Sequence, residues 1–273
     1  MRIANCKTYN KLLGPEANPI RDSLMFLWYI GSLESFRSMA DRFDVGKSPF
    51  HLSITRVATT VVDEIMPSVI QWPRVARIQE ISNAFGDISG FQNMLGAVDG
   101  SHISIKFTYV WTGNPGSTHD ASVLRSSELF AQSGELFPQG FYLLGDSAFP
   151  LLGWLVTPFK DYGNLTRNQR LFNVCHSKSR PVIERSFGLL KIRFRRLLRL
   201  DASDIKLVIN SIPSACVLHN ICMKMNEENF YQLDMGNDGA DNNNVCDRQN
   251  PDCYQMSGVR LRNELMQQLM QIN

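Results

Sequence analysis

The sequence predicts an α/β fold behind a small helical region, and three observations carry that expectation. Residues 95–106 read L-G-A-V-D-G-S-H-I-S-I-K, where His102, Ile103, Ser104 and Ile105 alternate with the period of a strand. Residues 141–144 are wholly apolar between Gly140 and Gly145, the mark of a central strand buried on both faces. Around both, apolar residues recur at spacings of three and four, which is helical.

The chain has 273 residues, enough for one catalytic-size domain and a small extra one. At 44% hydrophobic and 20% charged residues it reads as an ordinary globular protein. Its longest apolar run, residues 24–30, is too short to cross a bilayer and starts too late for a signal peptide, so no membrane is expected. The net charge of +2 hides a segregation. Residues 161–199 carry ten Lys/Arg against two acids, and residues 226–252 carry seven acids against Arg248. A basic block beside an acidic tail points to nucleic acid; the plainer reading is a solvated helix face. The six cysteines (Cys6, Cys175, Cys216, Cys222, Cys246 and Cys253) form no C-x-x-C pair, which fits reduced thiols in the cytosol or nucleus. Asn164-Leu165-Thr166 fits the glycosylation tripeptide, a match that is frequent by chance.

Residues 1–73 read as a helical, helix-turn-helix-like region. Helices are expected over 21–33 and 34–43, followed by the turn Asp44-Val45-Gly46-Lys47. Ser48 suits an N-cap with Pro49 at the first helical position, and that helix runs to Met66, where Pro67 stops it. Short helix, turn, longer helix is a helix-turn-helix outline. The second helix offers His51, Ser53, Thr55, Arg56, Thr59 and Thr60 for DNA contact, of which only Arg56 is firmly basic. The other reading is a helical pack that supports the later domain.

A boundary falls at Gln71-Trp72-Pro73, then a helix over 76–85, a loop over 86–90 and the strand region over 93–105. Asp99 lies within that strand, where a buried charge is costly unless paired or bound to metal. The plainer reading is an Asp closing a turn with Gly100. A turn-rich loop over 112–119 leads to Asp120, placed to cap a helix over 121–130. Asp146 follows the apolar strand, and the carboxyl ends of strands are where open α/β sheets place their sites. Residues 161–180 read as a polar, basic loop.

Pro181 opens a helix to residue 200 with Ile183, Phe187, Leu190, Phe194 and Leu197 as its core stripe. Glu184, Gly188, Lys191 and Arg195 share one face: a carboxylate, a gap, and two cations. That suits a metal ligand followed by phosphate contacts, or simply surface charge. Arg185, Arg193, Arg196 and Arg199 add positive charge. A second long helix covers 204–225. Its Cys216, His219 and Cys222 are three apart, but one helix seldom supplies a tetrahedral zinc site, so they read as core. Residues 226–257 are acidic and Asn/Gly-rich, expected to be disordered. Residues 258–273 hold a last helix with Val259, Leu261, Leu265 and Leu269 on its apolar side.

Asp99, Asp120, Asp146 and Glu184 are thus four acids in apolar or basic settings. Clustered carboxylates repel and raise one another's pKa. Hard divalent cations remove that conflict, and two of them about 3.5–4 Å apart can serve phosphodiester chemistry.

The segments V-D-G-S-H-I-S-I, G-S-T-H-D-A-S-V-L-R, L-G-D-S-A-F-P-L and V-I-E-R-S-F-G-L-L-K-I-R-F closely resemble the DDE domain of the PIF/Harbinger transposase superfamily, and L-H-N-I-C resembles its closing helix. The resemblance implies a ribonuclease-H-like DDE endonuclease domain over 91–225, acting on DNA with Mg²⁺ or Mn²⁺. Its catalytic triad would be Asp99, Asp146 and Glu184, with Asp120 a further metal-site acid. Arg56, Arg185, Lys191, Arg193, Arg195 and Arg196 are the expected DNA contacts. The resemblance also implies a nuclear location and a Myb-like DNA-binding partner protein.

The chain departs from the family after Lys106. Ile105 to Val110 run on without Gly, Pro, Asn or Asp, and two antiparallel strands cannot join without a turn. The family segment carrying that turn and the next strand is absent, so part of the sheet is expected to be missing. Two functions follow: a metal-dependent DNA endonuclease, or a catalytically impaired domesticated transposase acting as a DNA-binding or protein-interaction module.

Overall fold

The computed structural model describes residues 18–98, 107–200, 204–225 and 253–272. Asp99, the strand expected beyond Val98, the junction after Lys106 and the acidic stretch over 226–252 lie outside the described residues. The chain forms two compact units. One comprises Met1–Gln71, Lys106–Gly113 and Ser186–Met225; the other comprises Trp72–Ile105, Asn114–Arg185 and Asn226–Asn273.

In the first unit, Asn18 caps α1 (Pro19–Gly31), its Oδ1 accepting from the N–H groups of Ile20 and Arg21 at 3.1 Å each. Ser35 caps α2 (Phe36–Arg42). The helix α3 (Lys47–Thr60) starts ahead of the expected cap: Gly46 holds the N-cap position and Ser48 is already helical. Pro67 does not stop the helical path either. A π turn (Val61–Ile65) leads directly into α4 (Met66–Val69). Proline lacks an N–H and crowds the carbonyl four residues back. In the π turn the Met66 N–H reaches back to the Val61 carbonyl, so the helix is widened just where Pro67 needs room.

Helix α3 packs against α1 and against α10 (Ile205–Lys224). Phe26, Ile30, Phe50, Ile54, Ala58, Ala215 and Val217 form the core. Although α10 has the length and apolarity of a membrane span, half of it is buried in the protein. Its buried hydroxyls are satisfied: Ser211 donates to the Leu207 carbonyl at 2.6 Å and Ser214 to the Ala58 carbonyl at 3.3 Å. Ile205 is exposed in the first turn. Cys216 and His219 are core residues; burial pushes the Cys216 thiol well above its ordinary value.

Phe107 is held on α10 without any strand. Its N–H donates to Asn220 Oδ1 at 2.8 Å, and its carbonyl accepts from Asn220 Nδ2 at 2.7 Å. One side-chain amide thus makes both bonds that a neighbouring strand would have made.

The second unit contains a parallel sheet of three strands in the order β1-β2-β3: β1 (Met94–Val98), β2 (Tyr142–Gly145) and β3 (Leu155–Val156). β2 is central and buried throughout, as its apolar run requires. Val98 pairs with Gly145, and Leu144 with Val156. The Tyr142 hydroxyl donates to the Gln92 carbonyl at 2.9 Å, and burial pushes that phenol far above its usual range.

Against β1 lies α5 (Val75–Ser89), which runs through the expected loop at Gly86 and ends at Gly90 with φ +76°. The helix expected over 121–130 is broken into α6 (Asp120–Arg125) and α7 (Glu128–Ala131), followed by α8 (Ser133–Leu136). Ser127 makes the break. Its Oγ donates to the Leu124 carbonyl at 2.6 Å and accepts from the Phe130 N–H at 3.3 Å.

The supposed loop over 161–180 is largely helix. α9 spans Arg167–Arg193 and carries Pro181 in its interior. Its start is a capping box: the Gln169 N–H donates to Thr166 Oγ1 at 3.3 Å, and the Thr166 N–H donates to Gln169 Oε1 at 2.9 Å. Phe172, Cys175 and His176 are its buried stripe. Asn173 on this helix clamps Phe159, accepting from its N–H at 2.9 Å and donating to its carbonyl at 2.8 Å.

The last helix, α11 (Cys253–Ile272), packs on β3. Leu265 and Leu269 are buried and Val259 is exposed, so the buried stripe is rotated from the one expected. Gly258 lies on it. A Cβ there would stand 2.8 Å from the Leu152 backbone, so only glycine permits this approach. Arg262 lies over the Phe159 ring at 4.0 Å, and its Nη1 donates to the Thr157 and Pro158 carbonyls. Desolvation lowers its pKa.

Candidate active site

Gly145 closes β2 in a tight place. A Cβ there would meet Leu155 Cδ1 at 3.1 Å and Phe149 Cβ at 3.3 Å. The chain then turns at once. Asp146 Oδ1 accepts from the Ala148 N–H at 2.7 Å, and the Asp146 carbonyl accepts from the Phe149 N–H at 3.3 Å. This local turn fixes the carboxylate at the carboxyl end of the central strand, half-exposed. Asp146 Oδ2 has no hydrogen-bond donor among the described residues and remains available to a cation or a water.

The neighbouring strand ends in register: Val98 is opposite Gly145, and Asp99 is the next residue in the sequence. Asp99 itself lies outside the described residues. Asp120 is the first residue of α6, preceded by His119 at the N-cap position, so it sits inside the helix rather than capping it. The backbone of Glu184 and of Arg185 is helical, in α9. Among the described residues no three His, Cys, Asp or Glu side chains come together as a metal site. Four carboxylates as the candidate donor set match a hard, oxygen-loving cation, and Asp146 has an oxygen free for one.

The basic residues divide. Lys191 is exposed near the end of α9 and Arg193 is half-buried. Phe194 breaks the helix (φ −117°, ψ 75°), and Arg195 begins a 3₁₀ turn, Arg195–Leu198. Arg195, expected on one helical face with Glu184, Gly188 and Lys191, instead lies beyond the end of the helix and is exposed on the turn. Arg196 points inward. Its Nε donates to the Tyr29 carbonyl at 3.2 Å and its Nη2 to the Glu34 carbonyl at 2.7 Å, with the guanidinium 4.7 Å from the centre of the Tyr29 ring. The residue is 7% exposed. It fastens the basic turn to the end of α1.

Part of the polar face of α3 is taken up by contacts within the protein. His51 Nε2 lies 2.9 Å from Asp204 Oδ2, and Asn210 Nδ2 donates to Thr59 Oγ1 at 3.0 Å. His51, Thr55 and Thr59 fall at successive turns of one helix face, and that face is laid against α10. Arg56 is half-buried. The sequence offered one usable signal for such roles: a polar residue inside an apolar helical run, such as Asn220 in L-H-N-I-C, needs a buried partner.

The comparisons with known proteins concern this same stretch. Residues 93–220 match the family described as DDE superfamily endonuclease. A rat protein named "Putative nuclease HARBI1" is 28% identical over 221 residues, covering 68% of this chain and 62% of the rat protein. The human protein of that name is 29% identical over 211 residues, covering 63% and 59% respectively. An Arabidopsis thaliana protein named "Protein ALP1-like" is 27% identical over 248 residues, covering 73% and 59%. The chain thus spans less than two thirds of the length of these relatives. No solved structure matches it. The carboxylate after a central parallel strand and the helix bearing Glu184 both fall within the stretch that matches the DDE superfamily endonuclease family, and the chain is distantly similar to proteins named putative nuclease HARBI1 and ALP1-like.

Proposed function

We propose that the chain is a metal-dependent DNA endonuclease of transposase origin, with a ribonuclease-H-like catalytic core and a two-metal DDE mechanism. Asp99, Asp146 and Glu184 form the triad, and Asp120 is a further metal-site acid. The observation that supports this most is the register Val98 to Gly145, because Asp99 and Asp146 are the residues that follow these partners. When bound, Mg²⁺ or Mn²⁺ would supply charge neutralisation at the phosphate and an activated water. The residues' own work is positional. The Ala148 N–H fixes the orientation of the Asp146 carboxylate, and the contact of Gly145 with Leu155 and Phe149 fixes where the turn begins.

Arg185, Lys191, Arg193 and Arg195 contact the DNA backbone, with Arg56 a further contact; Arg196 is left out because its guanidinium is occupied by carbonyls. The protein works in the nucleus with a Myb-like DNA-binding partner. The test is nicking of supercoiled DNA with Mn²⁺. Asp146→Asn is expected to abolish nicking while leaving DNA binding intact; equal cleavage by both proteins would sink the assignment.

The competing reading is an impaired domesticated transposase that acts as a binding module. Residues 107–113 favour it: they carry no strand and are tied to a helix by Asn220, where the family pattern calls for more sheet. DNA binding without nicking by the wild type would select this reading.

A further inference from the structure

Helix α1 has two apolar faces. Met25, Phe26, Tyr29 and Ile30 fill the core. Ile20, Leu24, Leu27 and Trp28 lie on the opposite side and are 65%, 52%, 45% and 40% exposed. Spacings of four, three and one on a single helix make a continuous stripe, with Gly31 prolonging it by one more turn. Scattered apolar residues on a surface need no explanation, but a contiguous stripe marks a contact.

We propose that this stripe is a self-association surface, on which α1 of one copy packs antiparallel against α1 of a second copy. Two features of the stripe are self-complementary. The first is size. A two-fold axis between Leu24 and Leu27 sets Leu24 of each copy against Leu27 of the other, and Ile20 against Gly31 of the other. A Cβ at Gly31 would meet nothing within 4 Å in its own chain, so the space over the glycine is open and a bulky residue of the other copy can lie on it. Large-into-small contact lets two helices approach closely.

The second is charge. Arg21 flanks the stripe at its amino end, is exposed and makes no salt bridge among the described residues. Glu34 lies just beyond the carboxyl end, where its two oxygens already hold Ser38 Oγ at 2.9 Å and Arg42 Nη2 at 3.2 Å. Arg42 in turn lies over Trp28 at 4.6 Å. Antiparallel pairing brings Arg21 of each copy to the Glu34 end of the other, twice per dimer. A parallel pair would set like ends together, Arg21 against Arg21. Symmetric isologous contact is the commonest way for a chain to pair with itself.

Only four large side chains contribute from each copy, which is small for a stable interface, so the dimer forms in the micromolar range. Sedimentation analysis of the whole chain over a hundredfold range of concentration should show a monomer–dimer equilibrium. Leu27→Glu should leave only monomer, with unchanged helical content by circular dichroism. Arg21→Glu should weaken the dimer at least tenfold, and adding Glu34→Arg should restore it, which a general loss of hydrophobicity would not do. Ile205→Glu, an exposed apolar residue on α10, should leave the equilibrium unchanged. A wild-type monomer at every concentration overturns the proposal, as does failure of the charge exchange to restore a dimer that Arg21→Glu has weakened. Neither result bears on nicking by the Asp146 site, which is measured separately.

Discussion

The two units solve one problem with one device, at different depths. In the first, Asn220 holds both backbone groups of Phe107; in the second, Asn173 holds both backbone groups of Phe159. The Asn220 clamp is buried, with Phe107 2% and Asn220 3% exposed. The Asn173 clamp is only partly buried. Each lets a helix do the work of a neighbouring strand. The difference lies in what would happen without the amide, because water can replace the outer clamp but not the inner one.

Asn220→Leu should therefore have the largest effect. It strands a buried N–H and a buried carbonyl, at a cost of about 3 kcal/mol in urea unfolding. Asn173→Leu removes the same two bonds, yet should cost only about 1 kcal/mol because solvent takes them up. Equal losses would show that burial is not what separates the two clamps. Thr166→Ala tests the start of the helix that carries Asn173. Loss of the capping box should cost about 1 kcal/mol and lower helical content slightly. His51→Ala should have the least effect, a few tenths of a kcal/mol that fade in high salt. The contact with Asp204 is an ion pair only when the imidazole is protonated, and with its side chains 39% and 28% accessible solvent screens it. A large, salt-independent loss would mean that His51 matters through its ring contact with Phe36, 5.7 Å away.

The sequence made the carboxylate-bearing strand legible. An apolar run between two glycines with an Asp behind it is found as the central strand with that Asp at its carboxyl end. It was less informative where proline and polar residues suggested breaks. Pro67 is accommodated by a widened turn, and Pro181 lies inside a helix that starts at Arg167. The capping box of Thr166 and Gln169 was readable, but it fell in a stretch whose polar composition suggested a loop. Cys175 and His176 read as polar, although they pack as core beside Phe172. Arg196 shows the limit most directly. Among Arg193, Arg195, Arg196 and Arg199 nothing local tells which guanidinium turns inward, because the Tyr29 and Glu34 carbonyls that receive it lie far away in sequence. The proposed metal site is legible only as a list of acids, since its assembly would depend on how separate strands and helices end.

The π turn at Val61–Ile65 bears on how this region could change length. Such a turn holds one more residue than an ordinary helical turn, so it is in effect an insertion that has already been absorbed. Losing a single residue there would restore a plain α-helix and leave everything after it close to its present angular position relative to α3. It would also return Pro67 to the crowding that the wider turn relieves. A shortened chain could keep its helix only by giving up that proline as well, which ties two positions together that no side-chain contact joins.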